Sequence, residues 1–228
     1  MEINKKSTSK ALFKNTGIIA IGQISTKIVN FFLLPLYTAL LTTEEYGLVD
    51  LLITYAGLIA VIVGLQVFQA VFRFLVTIRE NKKECATAIS SIVLFTSLIL
   101  IVYTVIFVPI SKFITIKYSW FLLVYVVSNI LLQTFSSIVR GLGDNTQYAF
   151  ANFFSSAIIV VLNVFFIAIL RLNIGWMLLS YCIGPVLGAV YLILKCKLWQ
   201  YISFSLYDWK FVKKVLCYAI PLIPNELS

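Results

Sequence analysis

LLPLYTALLTTEEYGLVDLL, Leu33–Leu52, separates two long apolar stretches and decides how the rest of the chain is read. It holds Pro35, then the pair Glu44–Glu45, then Tyr46-Gly47 and Asp50. The 228-residue chain around it is 61% hydrophobic and 12% charged, with a mean hydropathy of +1.00. Soluble domains are roughly 45–50% apolar and about 25% charged. Polar surface this scarce does not cover a water-facing globule, so the bilayer is the solvent. The acidic stretch is then a tight hairpin between two membrane spans.

Spanning helices need about 20 mostly apolar residues. Six stretches qualify, at approximately 16–41, 48–76, 87–110, 119–140, 148–170 and 174–195, and a seventh begins near 211. They are too long and continuous for the alternating strands of a membrane barrel. The expectation is an all-α polytopic membrane protein with six complete transmembrane helices and the start of a seventh. Its parts are a cytoplasmic segment 1–15, a six-helix lobe 16–197, a cytoplasmic connection 198–210 and the seventh helix from 211.

Lysine and arginine set the orientation. Thirteen fall on one side, among them Lys5, Lys6, Lys82, Lys83, Arg140, Lys197, Lys213 and Lys214. Only three, Lys112, Lys117 and Arg171, fall on the other. This bias places the N-terminus in the cytoplasm and Glu44–Glu45 outside. The net charge of +9 therefore reads as membrane topology rather than as a nucleic-acid surface. The first apolar stretch is too long for a signal-peptide core, and no small-residue cleavage site follows it.

The chain has no histidine, which removes Ser-His-Asp and Cys-His catalysis and His-ligated metals. Cys85, Cys182, Cys196 and Cys217 lack zinc spacing and read as small hydrophobes. Gly141-Leu142-Gly143-Asp144-Asn145 lacks the lysine of a phosphate loop and reads as a cytoplasmic turn. Gly184 and Gly188 form a G-x-x-x-G that admits close helix contact, with Pro185 inside it. No catalytic constellation, metal site or cofactor motif emerges, and loops are too short for a polysaccharide polymerase or glycosyltransferase.

Polar residues inside the apolar stretches are the candidate site. The first carries Gln23, Lys27 and Asn30 on one stripe. Lys27 is eleven residues past Thr16, roughly 16 Å along the axis, near mid-bilayer. The second carries Gln66, Gln69 and Arg73 on another stripe, with Asp50 at its outer end and, in a straight helix, on a different face. The fourth carries Asn129, Gln133, Ser136 and Arg140; the fifth carries Asn152, Ser156 and Asn163. Buried charge costs about 2.5–3.5 kcal/mol on insertion scales and marks function by default. Each feature also has a plainer reading. Amides glue helices, arginines near a helix end snorkel to headgroups, and Asp50 suits a helix N-terminus. Three stripes pairing amides with a cation point to a positive, water-filled cavity that attracts an anionic headgroup.

The segment Lys14-Asn15-Thr16 … Gly22-Gln23 … Lys27 … Leu34-Pro35-Leu36-Tyr37-Thr38 … Glu45-Tyr46-Gly47 … Asp50-Leu51 resembles the start of bacterial Wzx-type polysaccharide flippases. These are the O-antigen and capsule members of the multidrug/oligosaccharidyl-lipid/polysaccharide exporter superfamily. Arg140-Gly141-Leu142-Gly143-Asp144 … Tyr148 resembles that family's fourth-to-fifth turn, and Phe211 … Tyr218-Ala219-Ile220-Pro221-Leu222-Ile223-Pro224-Asn225 its seventh helix. The resemblance implies a first lobe of a two-lobed exporter in the bacterial inner membrane. It implies transport of undecaprenyl-diphosphate-linked oligosaccharide by alternating access between the two lobes, the second of which is missing from this chain, with counter-ion coupling. Lys27, Arg73, Arg140, Gln23, Asn30, Gln66 and Gln69 would meet the substrate; Asp50 and Pro35 would serve coupling or gating. The alternatives are a multidrug or lipid II exporter of the same superfamily, a membrane-embedded polymerase, or a structural subunit. A chain of this length is expected not to translocate substrate by itself.

Overall fold

The computed structural model describes residues 35, 37–113 and 117–227. Gln23, Lys27 and Asn30, with most of the first expected span, lie outside them. The described residues form helices and turns, with no strand among them. In chain order these are α1 (Thr43–Gly64), α2 (Val67–Ile78), α3 (Lys82–Ser111), α4 (Ser119–Gly141), α5 (Asn145–Asn163), α6 (Ile174–Lys195), α7 (Trp209–Ala219) and α8 (Ile223–Leu227). A π-helical turn, Val164–Ile169, extends α5; short 3-10 turns connect α6 to α7 and α7 to α8. Five are long and apolar enough to cross a membrane: α1, α3, α4, α5 with its π-helical extension, and α6.

Local chemistry starts most of these helices. A helix exposes four unpaired N–H groups at its start, and Thr, Asn or Asp side chains accept from them. Thr42 accepts from Glu45 N while the Glu45 carboxylate accepts from Thr42 N at 3.0 Å, a reciprocal capping box. Asn81, Asp144, Asn173 and Asp208 cap α3, α5, α6 and α7 in one direction only, each side chain accepting from a first-turn N–H. Glu45 is thus a helix cap as well as an acid in a turn. Gly143, at φ 97°, makes the α4–α5 turn where the glycine-rich stretch was expected to do so.

The single span expected at 48–76 is two helices. Leu65 and Gln66 both take left-handed backbone, at φ 49° and 52°. Each such non-glycine residue costs about 1–2 kcal/mol, so the surroundings must hold it there. Gln66 is 1% exposed, and its side-chain carbonyl accepts from Gln69 Nε2 at 3.0 Å. Broken backbone at membrane depth is tolerated where protein buries it. The break sits level with Ile130, midway along α4, against which Gly64 packs. It also divides the two apolar cores, one built around α1 and the first half of α4, the other around α2, the second half of α4 and α7.

α4 is central, with 61% of its spanning window buried against 17% for α1 and for α5. Close approach of α5 to α6 depends on the expected glycines. A Cβ at Gly184 would lie 2.7 Å from Ser155 O, and one at Gly188 3.2 Å from Ala151 O. The outward face of α3 presents Leu98, Ile101, Val105 and Ile106, each more than half exposed, as a lipid-facing helix does.

Candidate substrate cavity

A cavity of about 770 Å³ opens between α2, the second half of α4, the first turns of α5, and α7. Its polar lining is Gln69, Arg73 and Thr77 from α2, Gln133, Ser136, Ser137 and Arg140 from α4, Tyr148 and Asn152 from α5, and Tyr218 from α7. Arg73 and Arg140 thus share one space. That follows from register: α2 and α4 each carry a polar stripe, and their apolar faces pack through Leu75, Ile138 and Val139. A Cβ on Gly141 would come within 2.7 Å of Leu75 Cβ, so glycine lets the two helices close at this end.

Both guanidinium groups are held by rings. Arg73 Cζ stands 4.4 Å from the centre of the Tyr218 ring. Arg140 Cζ stands 4.2 Å from Phe72 and 5.3 Å from Tyr148. Cation–π contact steadies the planar group without using its N–H donors. Arg140 Nε is buried and has no hydrogen-bond partner among the described residues. Among the described residues no acid lines the cavity and none pairs with either guanidinium, which leaves their N–H donors for an anion. Asn152 is fixed beside them, donating to Ser136 Oγ at 3.3 Å and to Tyr148 O at 2.8 Å.

A second cavity, about 90 Å³, adjoins the first. Gln66, Tyr125, Asn129, Gln133 and Glu226 line it, and Gln133 faces both. Gln69 Nε2 reaches Glu226 Oε2 at 3.4 Å, so a chain of amides runs from the helix break to a carboxylate on α8.

Arg73, Arg140 and Gln69 therefore come together, with Gln66 in the adjoining space. All four members of the α4 stripe line one cavity or the other. Asp50 is exposed on α1, and Pro35 is helical and exposed; neither lines either cavity. Asn163 is fully buried, and neither of its amide atoms has a hydrogen-bond partner among the described residues. Sequence reasoning missed Phe72, Tyr148, Tyr218 and Glu226. No spacing rule pairs an arginine with a ring on another helix. For Glu226 a signal exists: it is the one acid on the seventh apolar stretch, directly after Pro224-Asn225.

A family model described as "Polysaccharide biosynthesis protein" matches residues 12–228. No curated protein matches the sequence. Among solved structures, an outward-facing multidrug resistance MATE family transporter of the MOP superfamily aligns at 18% identity with a TM-score of 0.78, covering 96% of this chain and 52% of that one. A MATE protein in complex with Br-NRF aligns at 18% with a TM-score of 0.72, over 96% and 56%. A MOP superfamily transporter from Pyrococcus furiosus, whose description states a reverse polarity of its binding pocket, aligns at 19% with a TM-score of 0.66, over 96% and 52%. At these identities the likeness is one of fold, and the chain spans about half the length of each structure.

Proposed function

We propose, since the chain belongs to the polysaccharide biosynthesis protein family, that it binds the diphosphate of a polyprenyl-linked oligosaccharide and takes part in moving that lipid across the bacterial cytoplasmic membrane. The family and the exporter fold support membrane transport. The observation that carries the substrate class is the pair Arg73 and Arg140, ring-held in one cavity of about 770 Å³ whose described lining includes no acid. Two planar forks suit a doubly charged diphosphate better than an organic cation. The Pyrococcus furiosus transporter is described by the polarity of its pocket; here the pocket is cationic, which disfavours the multidrug alternative. The test is equilibrium binding to the purified full-length transporter. A polyprenyl-diphosphate oligosaccharide should bind at least about tenfold more tightly than its monophosphate, one charge-assisted contact being worth about 1.5–3 kcal/mol. Equal affinities, or tighter binding of a cationic drug, would remove the proposal.

The same reading sets the N-terminus in the cytoplasm and the Thr42–Glu45 cap on the outer face. With cysteine placed at Glu44 or Lys82, an impermeant thiol reagent added to whole cells should label the first and spare the second. Labelling of both from one side would defeat the topology.

A further inference from the structure

We infer that the connection from Lys195 to Lys214 is an interfacial collar, seated in the lipid headgroup layer and selecting anionic phospholipid, rather than a loop in water. The connection is tied to the side of α3. Ser90 Oγ donates to Tyr201 O and accepts from Ser203 N at 3.1 Å. Ser91 Oγ accepts from Asp208 N at 2.8 Å. Both serines are fully buried. Leu198 is buried in the adjoining apolar core, and the Trp209 ring lies 6.3 Å from that of Phe95.

These ties fix its depth. α3 has 30 residues, about 45 Å at 1.5 Å per residue, longer than the roughly 30 Å hydrocarbon layer. About 20 residues cross that layer, and counting back from Ile110, the last apolar residue before Lys112, reaches Ser91. Segment 201–208 is pinned at the boundary between acyl chains and headgroups, not beyond the helix end.

The composition suits that boundary. Phe204 is 85% exposed, Trp209 53%, Trp199 48% and Tyr207 40%. Rings this exposed disfavour water, and aromatic residues concentrate at the interface. Lys195, Lys197, Lys210, Lys213 and Lys214 are exposed around them, against the single acid Asp208, which caps α7. Lysine stems lie along apolar surface while their ammonium groups reach phosphate. Five cations interleaved with four exposed rings complement an anionic leaflet. The collar links α6 to α7, so its seat on the leaflet holds one end of the cavity helix that carries Tyr218.

The experiment uses the full chain in vesicles, with Trp120→Phe and Trp176→Phe leaving Trp199 and Trp209 as reporters. Bromines high on the acyl chains should quench their emission strongly, and aqueous acrylamide weakly. Brominated phosphatidylglycerol should quench at least about twofold more than brominated phosphatidylcholine at equal mole fraction, as expected for several lysines beside anionic phosphate. Lys197→Gln, Lys210→Gln, Lys213→Gln and Lys214→Gln together should bring that ratio to one while quenching by acyl bromines persists, which shows that the segment is still seated. Strong acrylamide quenching with none by bromolipid overturns the collar. Equal quenching by the two lipids in the parent chain overturns its selectivity.

Discussion

Replacing both cavity arginines, by Arg73→Ala and Arg140→Ala, is expected to lower export of surface polysaccharide by more than about a hundredfold in the full-length transporter, while membrane protein level stays near normal. The size follows from what each guanidinium offers. A charge-assisted contact to phosphate contributes about 1.5–3 kcal/mol, and two such losses multiply to at least that factor. Folding should tolerate the change because, among the described residues, neither arginine is ion-paired and the Nε of Arg140 is buried without a hydrogen-bond partner. What is lost structurally is ring contact with Tyr218, Phe72 and Tyr148, worth about 0.5–2 kcal/mol each. Arg140→Lys should recover only part of the activity, since lysine keeps the charge and loses the fork. Arg171→Ala, on an exposed loop residue at φ 48°, is the control and should export normally. Normal export by the double variant would end the assignment of this cavity.

Sequence periodicity exposed the site fully on α4 and in part on the second span. Asn129, Gln133, Ser136 and Arg140 keep helical spacing on an unbroken helix, so a stripe in the sequence stays a stripe in space. Gln69 and Arg73 keep their helical spacing within α2 and line one cavity, but Gln66 belonged to that stripe only if the helix ran on through it. The left-handed pair Leu65–Gln66 ends α1 before α2 begins, and Gln66 lines the smaller cavity rather than the one that holds Arg73. Nothing local announces that break: Gly64 is followed by an ordinary leucine and glutamine, with no proline. Its cause is tertiary. The packing of Val67, Ala70, Val71 and Leu75 in the core holds α2 in place, and the local Gln66–Gln69 bond satisfies the buried amide at the break.

The turn quoted at the outset was legible in part. Its position between spans was clear from hydropathy, and the Thr42-x-x-Glu45 spacing carried a capping signature that explains why an acid sits there. Orientation, in contrast, depends on lysine and arginine counts that packing does not register. Glu226 shows a different limit. Its contact with Gln69 joins positions 157 residues apart, and no short-range rule links positions that distant.

Lys27→Ala should abolish export outright, leave protein level near normal, and be partly rescued by Lys27→Arg. Lys27 lies outside the described residues, so its case rests on physical cost. A cation near mid-bilayer is disfavoured by about 2.5–3.5 kcal/mol on insertion scales, and from that depth its stem does not reach either headgroup layer with ease. A chain retains such a charge where water or an anion meets it, and the sequence spacing of Gln23 and Asn30 is that of residues sharing its face in a helix. Arg73 and Arg140 supply the positive charge of the cavity's described lining; we propose that Lys27 offers the diphosphate a third cation during its passage. The two sets of variants separate binding from passage. Loss of Arg73 and Arg140 should weaken equilibrium binding of the polyprenyl-diphosphate substrate in proportion to the export defect. Loss of Lys27 should reduce leaflet exchange in reconstituted vesicles far more than it reduces binding, because a deep cation lowers the barrier to crossing rather than the energy of arrival. Normal export by Lys27→Ala defeats the role, and a binding defect as large as the transport defect would make Lys27 a member of the first site instead.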